Sequence, residues 1–209
     1  MTDNSCDKPF EPEKPNLILV EGKSDELFFK YFCDRSGIKN IEFRDIKGKE
    51  NFHSIIRAIS ISPSFSETVT FLGIIRDSDD NEDGAFESVC DALRASNLPV
   101  PSNPLGIAEG NIKVCVLLLP GGGKSGELED LFLESWKEAP VFECVDEYFK
   151  CVETKENKLP KKMSKAKVQV FLGSREDVDE RFGIAAVKGY INFNHPAFDI
   201  IREFFSKIS

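Results

Sequence analysis

The chain is poor in the residues on which several kinds of chemistry depend. Among 209 residues there are two histidines, three tyrosines and one tryptophan. His53 and His195 have no partner at metal-ligand spacing, which leaves no histidine zinc site, and Ser24 and Ser125 lack a nearby histidine that would activate a serine nucleophile. The six cysteines form no C-x-x-C pair. Four of them sit in apolar surroundings at helix or strand spacing, so reduced, mostly buried thiols are expected rather than a disulfide framework or a zinc site. No stretch approaches the roughly 18–20 apolar residues that span a bilayer, and the first residues lack the basic and apolar regions of a signal peptide. The expectation is a cytoplasmic protein with no membrane association.

What is present fits one soluble domain with an extension. Hydrophobic residues make up 41% and charged residues 30%, and 18 phenylalanines supply a core. The net charge of −9 argues against a general nucleic-acid coat, because such binding depends on Lys and Arg releasing counterions from phosphates. That charge is unevenly spread. Residues 77–91 are rich in Asp and Glu and contain no Lys or Arg, whereas residues 150–170 are rich in Lys. A charge run taken alone most often marks a solvated face.

Residues 1–15 are polar, with Pro9, Pro12 and Pro15, and read as a flexible tail. Beyond them apolar runs at 17–20, 41–46, 68–75 and 112–119 alternate with helical stripes such as Leu27, Phe28, Tyr31 and Phe32, or Leu128, Leu131, Phe132 and Trp136. Strands apolar on both faces and alternating with helices predict an α/β fold, a parallel sheet of about four strands with helices on both faces. The segment 97–110, with three prolines, reads as a loop. Residues 16–140 are expected to form the α/β core and 141–209 a helical C-terminal extension packed on the same domain.

In parallel sheets ligands bind at the carboxyl ends of the strands, and here those ends are acidic. The first run leads into Glu21, Gly22 and Asp25, the third into Asp77 and Asp79, and the fourth, after a glycine-rich loop, into Glu127, Glu129 and Asp130. Crowded carboxylates repel and raise one another's pKa unless a cation neutralises them, so a site holding Glu21, Asp77 and Asp79 calls for Mg²⁺ or Mn²⁺. Asp77 and Asp79, two apart after a strand, share a side and can reach one ion. The opposing consideration is that helix N-termini favour acids anyway, so Glu127, Glu129 and Asp130 can simply complement the macrodipole.

Two other motifs are incomplete. Gly121, Gly122, Gly123, Lys124 and Ser125 match the second half of a phosphate-binding loop, but Leu118 stands where its first glycine belongs. Lys124 remains a candidate phosphate contact beside the same sheet edge. Asp79, Asn81, Asp83 and Gly84 match the start of a calcium loop whose twelfth position is Cys90 instead of Glu.

The order Val20-Glu21-Gly22 with Asp25, then Asp77 and Asp79, then Gly126, Leu128, Glu129 and Asp130 resembles the TOPRIM fold shared by topoisomerases, primases and OLD-family nucleases. It is most similar to small stand-alone TOPRIM proteins of unassigned function, whose endings residues 188–198 also resemble. The resemblance implies a TOPRIM-like, Rossmann-like fold and one or two Mg²⁺ or Mn²⁺ ions. Glu21 would serve as metal ligand or acid/base group, and Asp77 and Asp79 as ligands. Asp25 would be the second acid of the OLD-type pair, and Glu129 would complete the second metal's shell. OLD nucleases also place a lysine downstream of the acids; Lys165 is the best match, with Lys161, Lys162 and Lys167 as rivals. The implied activity is phosphodiester hydrolysis in DNA or RNA, with a partner protein supplying an ATPase or specificity that a chain of this length lacks. The alternative at this point is a non-catalytic nucleic-acid-binding or regulatory module of the same fold.

Overall fold

A computed structural model describes residues 11–176 and 182–208. The first ten residues of the expected tail, with Cys6, lie outside them. The sheet contains strands β1 (Asn16–Val20), β2 (Ile41–Asp45), β3 (Phe71–Asp77), β4 (Ile107–Ala108) and β5 (Lys113–Leu119) in the order β2-β1-β3-β5-β4. Four are parallel, as their two-sided apolar sequences require; β4 adds a short antiparallel edge. The sheet therefore has five strands rather than about four. The fifth lies in the proline-containing segment read as a loop, where two residues, Ile107 and Ala108, pair with Cys115 and Val114 and carry no periodicity of their own.

Strand alternation sorts the side chains into two cores. Leu17, Leu19, Leu72, Ile74, Val114, Val116 and Leu118 face one side, against α2 (Phe52–Ser60), α3 (Pro63–Thr68) and α4 (Glu82–Ala95). Ile18, Val20, Phe71, Ile75, Cys115, Leu117 and Leu119 face the other. That side is covered by α1 (Lys23–Arg35), α5 (Leu128–Trp136), α6 (Phe142–Glu156), α7 (Met163–Gly173), α8 (Phe182–Val187) and α9 (Asp199–Ser206). Phenylalanine dominates there: Phe28 and Phe132 meet edge to face with ring centroids 5.0 Å apart, and Trp136 stacks on Phe171 at 4.1 Å.

The chain on either side of the helices is tied in as well. Residues 13–15, within the segment read as a tail, run beside the sheet: Thr70 N–H donates to the Pro15 carbonyl at 2.8 Å, and Glu13 N–H to the Glu42 carboxylate at 2.7 Å. Cys33, Cys90 and Cys115 are buried, while Cys144 and Cys151 on α6 are exposed, so three of the described thiols are interior, one fewer than expected. No helix among the described residues is long and apolar enough to cross a membrane.

The last helix depends on a missing side chain. Phe204 of α9 is fully buried over β3 at Gly73, where a Cβ would lie 2.7 Å from the Phe204 ring and 2.4 Å from Ile18. Gly73 is the hollow into which the helix settles. Phe204→Ala is expected to cost about 3–5 kcal/mol and Gly73→Ala about 1–3 kcal/mol, one by cavity formation and the other by overpacking. Urea unfolding checks both, and a Phe204→Ala loss below 1 kcal/mol would mean that α9 contributes little to the folded unit.

Candidate metal centre

The carboxyl edge of the sheet brings residues from five separate segments together. Glu21 follows β1, and its carboxylate accepts the Asp77 N–H from the end of β3 at 3.2 Å. The two strand ends therefore adjoin, as a parallel register dictates. Asp25, in the first turn of α1, accepts the Gly22 N–H at 2.9 Å and so closes the turn that carries Glu21. Asp77 itself accepts the Leu128 N–H at 3.0 Å, which docks the start of α5 against β3.

Around that junction Asp77, Glu127 and Glu129 each offer an oxygen, all within 4.8 Å of one another. Glu127 and Glu129 are buried, at 4% and 6% exposure. This is more than helix-dipole compensation, for which acids need only face solvent near the first turn. Glu127 is not among the acids that the sequence motifs select, yet it is one of the three that converge here. The reasoning that pairs Asp77 with Asp79 applies equally to Glu127 and Glu129, but the helix start supplied a ready competing explanation. Asp130 has a different task. It accepts the Glu127 N–H at 2.8 Å on one oxygen and the Ser164 hydroxyl of α7 at 2.5 Å on the other. A Cβ on Gly126 would meet that carboxylate at 2.4 Å, so the glycine of this motif makes room for Asp130.

The Ser164 bond fixes α7 so that Lys165 reaches Glu127 at 3.3 Å and Glu129 at 3.8 Å. Of the rivals, Lys162 lies 3.6 Å from Glu127, and Lys167 is paired with Asp146 at 2.7 Å. Lys161 is exposed. Asp79 stands apart from the three converging acids, its carboxylate held by Lys49 at 2.5 Å and Lys162 at 3.1 Å. Lys124 and Ser125 are exposed, and Lys124 lines an open groove beside Asp130 rather than the acidic cluster. The calcium-loop pattern resolves into helix capping: the Asn81 side chain accepts the Gly84 N–H at 3.0 Å and starts α4.

The charges at the centre are strained in the sense that matters for a cation. Burial, then the charges of Asp25, Glu21 and Glu129, push the Asp77 carboxyl well above its ordinary range. Burial and the neighbouring Glu129 raise Asp25 to about 7. Burial also raises Glu21 and Glu129, the latter against the pull of Lys165. At Asp79 burial is outweighed by Lys49 and Lys162, and its carboxyl is held below the ordinary value. Lys165 and Lys162 beside Glu127, and Arg76 at 3.8 Å from Glu21, are three cations against five crowded acids and do not neutralise them. Hard oxygen donors whose ionised forms repel one another could hold a divalent cation.

A family model described as "Protein of unknown function (DUF3226)" matches residues 15–209. The chain belongs to the DUF3226 family. No curated protein matches this DUF3226 chain in sequence. Among solved structures it is similar to the C-terminal region of the Burkholderia pseudomallei OLD protein, with 12% identity and a TM-score of 0.54 over 95% of this chain and 100% of that one. The C-terminal region of the Xanthomonas campestris pv. campestris OLD protein also matches, with 15% identity and a TM-score of 0.39 over 94% of this chain and 87% of that one. The first likeness establishes the fold as the OLD-type TOPRIM arrangement that the motifs resemble.

The raised Asp25 pKa has a measurable consequence. The folded chain holds this proton from the ordinary value of 3.8 up to about 7, while the unfolded chain releases it, so stability falls as pH rises through that window. Asp25→Asn keeps an oxygen to accept the Gly22 N–H and removes the titration. In the presence of a chelator, the melting temperature of the wild type is expected to drop relative to Asp25→Asn between pH 4 and 7, by about 2–4 °C for each kcal/mol at this size. Parallel pH profiles for the two proteins would show that Asp25 ionises freely.

Proposed function

We propose that this DUF3226 protein is a Mg²⁺- or Mn²⁺-dependent nuclease that hydrolyses phosphodiester bonds in DNA or RNA. The observation that carries the reading is the set of Asp77, Glu127 and Glu129 oxygens within 4.8 Å of one another, with Lys165 alongside, at the carboxyl edge of an OLD-type sheet. Asp77, Glu127 and Glu129 would hold the ion, with Glu21 and Asp25 adjoining it on the β1 side. A bound ion of this kind supplies Lewis-acid stabilisation of phosphoryl charge and lowers the pKa of a coordinated water.

The chain's own groups divide the remaining work. Glu21, whose carboxylate accepts the Asp77 N–H and whose pKa burial raises, making it the stronger base when ionised, would accept a proton from the attacking water. Lys165 puts a fixed positive charge beside the position where phosphoryl charge develops, and Asp130 and Ser164 hold the helix that carries it. The lysine-rich segment, which taken alone would be a solvated face, would meet the backbone of the strand. Exposed and unpaired Cys144 and Cys151 fit a reducing cytoplasmic setting. A partner protein that supplies an ATPase or selects the substrate is part of this reading.

Supercoiled plasmid tests it. With Mn²⁺ the wild type is expected to nick, a chelator to abolish nicking, and Asp77→Asn or Glu127→Gln to lower the rate about 10²-fold or more. Lys165→Gln should lower kcat about 10²–10³-fold, the usual cost of removing one transition-state charge donor. Absence of nicking and of Mn²⁺ uptake by calorimetry, with and without candidate partners, would leave the reading without support.

A further inference from the structure

We infer that Lys49 and Lys162 form a binding pair for a nucleic-acid phosphodiester flanking the metal centre, with the Asp79 carboxylate as a built-in stand-in that the strand displaces. The inference rests on the nuclease reading and names the part of the site that grips the substrate. Its basis is a bridge between distant segments. Lys49 belongs to the turn after β2 and Lys162 to the residue before α7, yet both ammonium groups hold Asp79, one on each oxygen, at 2.5 and 3.1 Å. A phosphodiester likewise presents two non-bridging oxygens on one negatively charged group.

The lysines are not free surface charges that happen to meet an acid. The turn bearing Lys49 is fastened to the metal edge, because Gly48 N–H donates to the Glu21 carbonyl at 2.8 Å. Asp79 is pinned by its own N–H to the Gly126 carbonyl at 2.8 Å, in a left-handed conformation with φ 50° that aspartate tolerates. Lys162 joins the pair to the centre, since it also lies 3.6 Å from Glu127. The lysine side chains are about half exposed, 49% for Lys49 and 53% for Lys162. Exposed ion pairs add little net stability, so exchanging Asp79 for a strand phosphate costs the protein little.

The test is binding of a fluorescein-labelled single-stranded oligonucleotide in chelator, read by anisotropy across a salt series, where no cleavage occurs. The double substitution Lys49→Gln and Lys162→Gln is expected to weaken binding about tenfold at 50 mM salt and to lower the salt slope by about 0.7, the value for one phosphate contact on a single strand. Lys39→Gln, a charge change at an exposed residue just before β2, at the opposite end of the sheet from the pair, should leave both unchanged. Asp79→Asn removes the competitor and should tighten binding about threefold. The inference is overturned if the double variant binds like the wild type, or if Asp79→Asn binds no tighter; persistent Mn²⁺-dependent nicking in either case leaves the nuclease reading standing. A wild type that neither binds the strand nor nicks plasmid overturns both.

Discussion

Mutual repulsion among buried carboxylates is the constraint around which this molecule is arranged. Glu21, Asp25, Asp77, Glu127 and Glu129 meet where the low dielectric of the sheet edge magnifies their charge, and burial alone drives several of them toward the protonated state. Nothing in the packing of the core requires acids there. Balanced only in part by lysine and arginine, the crowded carboxylates are a cost in stability that a divalent cation would offset. The neighbouring backbone reflects the same demand: the Asp77 and Leu128 N–H groups are both turned toward carboxylates.

The C-terminal helices answer the acids from the other side. Helix α7 contributes Lys165 and, from the residue just before it, Lys162, while Asp130 and Ser164 fix the angle at which the helix approaches. The same stretch rests on the aromatic core through Phe171 stacked on Trp136. Two charged stretches far apart in the sequence thus each contribute part of themselves to one place, Asp77 and Asp79 from the acidic one and Lys162 and Lys165 from the basic one, while Glu87 and Asp91 pair with Arg94 on the exposed face of α4. The net charge of −9 therefore says little about this place in the fold, where Lys162 and Lys165 face Glu127.

Much of this was legible beforehand. Continuous apolar runs and period-3.6 stripes set the alternation of strands and helices, and a parallel sheet obliges the residues after each strand to gather at one edge, which brings Glu21, Asp25, Asp77 and Glu129 together. Other features were not legible. Glu127 was hidden because a carboxylate at a helix start has an ordinary electrostatic explanation, and only its burial beside Asp77 removes it. Asp79 shares its spacing with Asp77 but is taken up by two lysines, one of which, Lys49, has no motif around it. The edge strand β4 has two residues and no pattern to read.

The sequence by itself determined the layer architecture and the acidic edge, because hydrophobic periodicity and strand direction are local properties that survive into any compact arrangement. Which lysines face which acids, that Asp130 is a brace, and that Asp79 lies between Lys49 and Lys162 were decided only by tertiary structure. Those pairings join segments separated by 30 residues for Lys49 and 83 for Lys162. They depend on how α7 settles on the aromatic core and on how the turn after β2 is held to β1, and no local spacing encodes either.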